Sequence, residues 1–140
     1  LSGPFFRGLN AVPVDREGGG ARGLKIILER LLKDNGIIIF PEGTRTFDGE
    51  MLPAQGGIGL TIIKSRAPVV PVRVWTYNAY NRNQVLPKPR MMSVKFGKPL
   101  DVEPLREKAR TCSRQELRGI YQEAAESTMT AIRKLQPIED

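Results

Sequence analysis

Ile37–Phe40 is an unbroken apolar run that leads directly into Pro41-Glu42-Gly43-Thr44-Arg45. Four consecutive apolar residues ahead of a turn signal read as a strand covered on both faces. A strand buried on both faces of a sheet fits a layered α/β architecture. The flanking patterns agree. Ala11–Val14 is a short β-prone run, and Leu24, Ile27, Leu28, Leu31 and Leu32 then recur at helical spacing. They predict a helix from about Ala21 to Asp34, with Asn35-Gly36 as its stop. A second helix fits Gly57–Ser65 and a strand fits Val69–Trp75. This β-α-β-α-β order predicts an α/β domain with a mostly parallel sheet flanked by helices and joined by right-handed crossovers.

Beyond it, Asn78–Pro89 reads as a loop. Met92, Val94 and Phe96 alternate as in one further strand, closed by Gly97 and Pro99. Ser113 followed by Glu116 is a capping box that opens a C-terminal helix over 113–136. Leu117, Ile120, Tyr121, Ala124, Met129, Ile132 and Leu135 share one face of it. The opposite side carries acids as well as bases, which fits core packing better than a helix lying in a membrane.

The 140 residues suit one domain over 1–140, burying roughly 70% of the unfolded surface. The first residue is Leu1 rather than Met, and we expect the chain to be a piece of something longer or one trimmed at its start. The single cysteine, Cys112, excludes an internal disulfide and fits a reducing compartment. With no histidine in the chain to activate it, Cys112 reads as a half-buried thiol near a helix start rather than a nucleophile. No apolar run approaches the roughly 18 residues that suggest a membrane span. Membrane contact is therefore expected to be peripheral or made by a segment outside this chain.

Charge is unevenly placed. The net charge is +7, yet Met51–Leu100 contains no Asp or Glu and holds Lys64, Arg66, Arg73, Arg82, Lys88, Arg90, Lys95 and Lys98. Such a block is either a solvated face or one meeting an anionic membrane, an anionic ligand or nucleic acid. No nucleic-acid motif accompanies it, and the basic residues spread over several elements, so nucleic acid is not expected as a partner. Trp75, Tyr77 and Tyr80 beside Arg82 either anchor at a bilayer interface or cover the end of the sheet.

In a parallel sheet, ligands gather where strands end and loops lead into helices. Glu42-Gly43-Thr44-Arg45 follows one such end and Asp15-Arg16 follows another. Two arginines converging there would make paired hydrogen bonds to phosphate oxygens. Gly43 permits a close turn and Thr44 adds a hydroxyl. Glu42 would position Arg45 or accept from a ligand hydroxyl. The competing reading is a plain turn, its Glu–Arg pair worth under about 1 kcal/mol.

"FPEGTRT" (Phe40–Thr46) resembles the third conserved block of the glycerolipid acyltransferases, the family that includes 1-acylglycerol-3-phosphate acyltransferase. "VPVDR" (Val12–Arg16) resembles the second block and "APVVPVRV" (Ala67–Val74) the fourth, centred on Pro71. "VKFGKPLDV" (Val94–Val102) resembles the strand and exit that follow. Gly57 stands where the family has its glycine, although Gln55 and Gly56 occupy an approach that commonly carries a lysine. The resemblance implies that Arg16, Glu42, Gly43, Thr44 and Arg45 bind the acyl acceptor. Arg16 and Arg45 would hold its phosphate, and Pro41, Gly57 and Pro71 would shape the pocket.

The family's first block, a histidine followed five positions on by an aspartate, is absent. In the family that histidine is the general base. The expectation is therefore an N-terminally truncated acyltransferase of phospholipid biosynthesis. Its activity would be acyl transfer from acyl-CoA or acyl-carrier protein to the hydroxyl of a lysophosphatidate-like lysophospholipid. No metal or bound cofactor is implied. The implied location is the cytoplasmic face of an anionic membrane. As it stands, the chain is expected to be nearly inactive, and the missing strands are expected to leave an exposed edge or apolar face. The alternative is a non-catalytic phospholipid- or phosphate-binding module.

Overall fold

The computed structural model describes residues 21–44, 46, 50–76 and 92–137. The chain divides into two compact units, Leu1–Ile38 and Ile39–Asp140.

In the first unit, helix α1 spans Ala21–Leu31. Leu24, Ile27, Leu28 and Leu31 are half-buried along one face, as their spacing requires, while Leu32 stays 68% exposed. The stop falls near Asn35-Gly36, but by a different device from a glycine cap. Asp34 takes the left-handed conformation at φ 58°. Asn35 donates from its backbone and from Nδ2 to the Arg30 carbonyl, at 3.2 and 3.1 Å. The side-chain amide supplies a partner for one of the carbonyls orphaned at the helix end.

Ile37–Phe40 departs from the expected doubly covered strand. It pairs with no described strand, and its burial alternates, with Ile38 89% and Phe40 70% exposed. An apolar run is covered on both faces only where other layers reach it, and that information is not local to four residues.

The second unit packs three helices on one another and sets the last of them beside a strand pair. Helix α2 is Gly56–Ser65, strands β1 and β2 are Val72–Thr76 and Met92–Phe96, and helices α3 and α4 are Glu103–Thr111 and Arg114–Lys134. Ile62 and Ile63 of α2, Val102, and Ile120 and Ala124 of α4 form the buried core. Three glycines in the first turn of α2 cost helix propensity, up to about 1 kcal/mol each. One of them has a packing reason: a Cβ on buried Gly59 would lie 1.7 Å from the Tyr121 carbonyl oxygen, so α2 and α4 touch backbone to backbone.

Arg106 of α3 is 6% exposed. Its guanidinium donates to the Ile62 carbonyl through Nε (3.2 Å) and Nη2 (2.9 Å), and through Nη2 to Ala67 O (2.7 Å). The fork thereby satisfies carbonyls at the C-terminal end of α2, and Glu103 balances its charge at 2.6 Å. Helix α3 itself goes beyond the sequence reading, which closed its last strand at Gly97 and Pro99 and placed no helix between there and Ser113. Its start signals are Glu103 and Pro104 in the first turn, and Lys108 and Arg110 close the last turn. Cys112 is half-buried at the C-cap of α3, one residue before the Ser113 N-cap of α4. The capping box there forms in both directions.

Strands β1 and β2 are antiparallel, with Val72 opposite Phe96, Val74 opposite Val94 and Thr76 opposite Met92. A bridge between Val69 and Leu100 extends the pairing. This is the one sheet among the described residues. The face carrying Val74, Met92, Val94 and Phe96 is open, with Phe96 70% exposed. On the other face, the Arg73 guanidinium lies 5.0 Å from the Trp75 ring centroid and donates to the carbonyls of Arg133 and Leu135 at the end of α4. The described residues are thus α/β in composition.

Candidate functional site

The turn after Phe40 is built from its own backbone. Gly43 N–H donates to the Phe40 carbonyl at 3.1 Å, which closes the turn around Pro41 and Glu42. Pro41 fixes φ for the second turn position, and Gly43 follows at φ 70°, where an L side chain is strained.

Three bonds then hold this turn to residues just before α2. Gln55 N–H donates to the Pro41 carbonyl at 2.8 Å. Leu52 N–H donates to Glu42 Oε2 at 2.9 Å. Gln55 Nε2 donates to the Glu42 carbonyl at 3.4 Å, the long end of the range. Gln55 is also the N-cap of α2, so the turn stands on the entrance of a helix whose far end is fixed by Arg106. Glu42 is half-buried and Thr44 is exposed beside it.

Glu42 therefore has work that the sequence does not announce. One carboxylate oxygen closes the neck of the loop from Gly43 to Met51, while a carboxylate keeps further acceptor capacity for a ligand hydroxyl or a cation. Leu52 and Gln55 are supports that sequence reasoning missed. Their bonds to Glu42 span 10 and 13 residues, and no periodicity or short motif carries such a pairing.

The other expected site residues are distributed as follows. Arg16 and Arg45, with Asp15, Tyr77, Tyr80 and Arg82, lie outside the described residues. Gly57 is half-buried in the first turn of α2, and its carbonyl accepts the Thr61 hydroxyl at 2.9 Å. Pro71 is buried just before β1 and accepts Gly97 N–H at 2.8 Å, so it belongs to the strand pair. The structure brings Pro41, Glu42 and Gly43 together with Leu52 and Gln55.

Next to this neck, a pocket of about 310 Å³ opens between Pro53–Ala54 and α4, lined on the helix side by Glu126, Met129 and Arg133 among others. Among the described residues there is no cluster of three or more His, Cys, Asp or Glu that would hold a metal ion. Nor is any described helix long and apolar enough to cross a membrane.

Known proteins resemble this chain in the region that contains the turn. The family model described as Acyltransferase matches residues 1–75, more than half of the chain. A 1-acyl-sn-glycerol-3-phosphate acyltransferase of Bacillus subtilis (strain 168) is 35% identical over 99 residues, covering 70% of this chain and 47% of the relative. Proteins of the same name from Cocos nucifera and Limnanthes alba are 31% and 27% identical over 107 and 110 residues, covering 35% and 38% of their own lengths. The chain thus spans about a third to a half of the length of these relatives. No solved structure matches.

Proposed function

Because the chain belongs to the acyltransferase family, we propose that it carries the acceptor-binding part of a glycerolipid O-acyltransferase. The observation that carries this reading is the Glu42 turn. It is fixed by Leu52 and Gln55 on the entrance of α2, and it lies within the matched residues 1–75. Its partner elements would belong to a largely parallel sheet of one domain in the whole protein.

The acceptor is a lysophosphatidate-like lipid. Arg16 and Arg45 hold its phosphate by paired, charge-assisted hydrogen bonds. Glu42 fixes the loop that bears Arg45 and offers its remaining carboxylate capacity to an acceptor hydroxyl, with Gly43 and Thr44 completing the cradle. The acceptor hydroxyl oxygen attacks the thioester carbonyl carbon of acyl-CoA or acyl-carrier protein. Its proton passes to a general base, the tetrahedral intermediate collapses, and the thiol leaves. The base lies outside this chain, which contains no histidine. Without it the 140-residue chain is nearly inactive, since a positioned base contributes about 10²–10⁴-fold. The reaction calls for no metal or resident cofactor. The enzyme works at the cytoplasmic face of an anionic membrane, held peripherally or by a segment outside this chain, with the acid-free stretch Met51–Leu100 favouring that surface.

Arg45→Ala in the full-length gene product tests the assignment. A lost charged hydrogen bond is worth about 1.5–3 kcal/mol, so use of lysophosphatidate falls roughly ten- to hundred-fold. Unchanged acceptor kinetics would remove the phosphate role. The lack of a histidine also favours a second reading, a phospholipid-binding module without catalysis. A full coding sequence that has no histidine block, with lysophosphatidate binding retained, would select it.

A further inference from the structure

We propose that Gln55 is a positioning residue for the acceptor turn, a role that rests on the acyltransferase reading above. Gln55 is the one described residue that meets the turn in three ways. Its backbone N–H holds the Pro41 carbonyl at 2.8 Å, and its side-chain amide reaches the Glu42 carbonyl at 3.4 Å. Its stem also occupies the space beside Gly43, where an added Cβ would lie 2.9 Å from Gln55 Cγ. Position 43 is thus restricted twice, by φ 70° and by the Gln55 stem.

The side chain is not needed for the helix it begins. As N-cap of α2, Gln55 makes no side-chain capping bond, and α2 is held instead by its core contacts and by Arg106. What the side chain contacts is the turn, and through Glu42 the loop that leads to Thr44. Its removal frees the turn to shift while leaving α2 in place. A small displacement of a binding loop weakens the ligand that the loop orients.

The test is steady-state kinetics of the full-length protein with lysophosphatidate and acyl-CoA, beside thermal melts of each variant. Gln55→Ala raises the acceptor KM about three- to ten-fold, the range of one neutral hydrogen bond or less, with donor KM and Tm unchanged. Gln55→Met keeps the stem and drops the amide, and it reproduces most of the Gln55→Ala loss. Gly43→Ala is less harmful in the Gln55→Ala background than in the wild type, because the Cγ it collides with is gone.

An unmoved acceptor KM in an active Gln55→Ala enzyme overturns the role alone. So does a Gly43→Ala effect that is the same in both backgrounds, or a Gln55→Ala loss that falls on Tm and on both KM values together. A wild-type protein that transfers no acyl group to lysophosphatidate overturns the proposed function and this role with it.

Discussion

Gly59 of α2 and Tyr121 of α4 meet through their backbones, leaving no room for a single methyl: a Cβ at Gly59 would sit 1.7 Å from the Tyr121 carbonyl oxygen and 2.8 Å from its Cα. Neither neighbour is a flexible side-chain end, so the strain cannot be relieved by a rotamer change. Gly59→Ala is expected to destabilise the chain by about 3 kcal/mol or more, the upper range for overpacking a core. Gly119 is the control, since nothing lies within 4 Å of its built Cβ. Gly119→Ala in exposed α4 should stabilise by about 0.5–1 kcal/mol. Urea denaturation of both variants checks the contrast.

Arg106 supports α2 from its other end. Arg106→Met removes the buried guanidinium that donates to the Ile62 and Ala67 carbonyls. The expected cost is about 3 kcal/mol, read from denaturant midpoints. Arg106→Lys should recover less than half, because one ammonium cannot reproduce the planar fork. Glu103→Gln should change the midpoint far less, since the Glu103 side chain is 57% exposed and water screens the pair.

Glu42→Ala and Glu42→Gln separate the neck of the loop from its charge. Glutamine keeps an oxygen that accepts Leu52 N–H, and alanine does not. Hydrogen exchange at the Leu52 amide should quicken about ten-fold in Glu42→Ala and little in Glu42→Gln. Equal exchange in the two variants would show that the carboxylate does not close the loop.

Acid should weaken the fold through two carboxyls held below their ordinary 4.5. Arg106 hydrogen bonding lowers Glu103, and Ser113, through its hydroxyl and its backbone N–H, lowers Glu116. A depressed carboxyl binds its proton less readily when folded, so its contribution is present above its unfolded value and lost as pH falls through the folded one. Stability should be level from neutrality to about pH 5 and decline below it. Glu116→Gln keeps a capping-box side chain that does not titrate, so it should lessen the acid slope with little change at pH 7. Melts across pH 3–7 would measure both effects.

Local chemistry was legible in the sequence, and distant pairing was not. The capping box of α4 and the stop of α1 each depend on residues within a few positions, so Ser113, Glu116 and Asn35 announce themselves. The alternation of Met92, Val94 and Phe96 gave β2 correctly, yet it does not say which face another layer covers, and those three side chains are exposed. Helix α3 was overlooked because Leu105 and Ala109 are too few apolar residues to stand out in a polar segment, although Pro104 and Glu103 marked its start. The turn at Gly43 could be read from Pro and Gly alone. Its supports could not, because Glu42 meets Leu52 and Gln55 only after the chain has folded back.

The open face of the strand pair has a colloidal consequence. Val74, Val94, Met92 and Phe96 form a water-exposed apolar surface on a short antiparallel pair, with Lys98 close after Phe96 in the chain and Lys95 on the other face. In dilute low-salt solution the +7 charge keeps copies apart, but raising ionic strength shortens that repulsion to about 8–10 Å. The isolated chain should then cloud as salt is added, and Phe96→Lys should keep it clear.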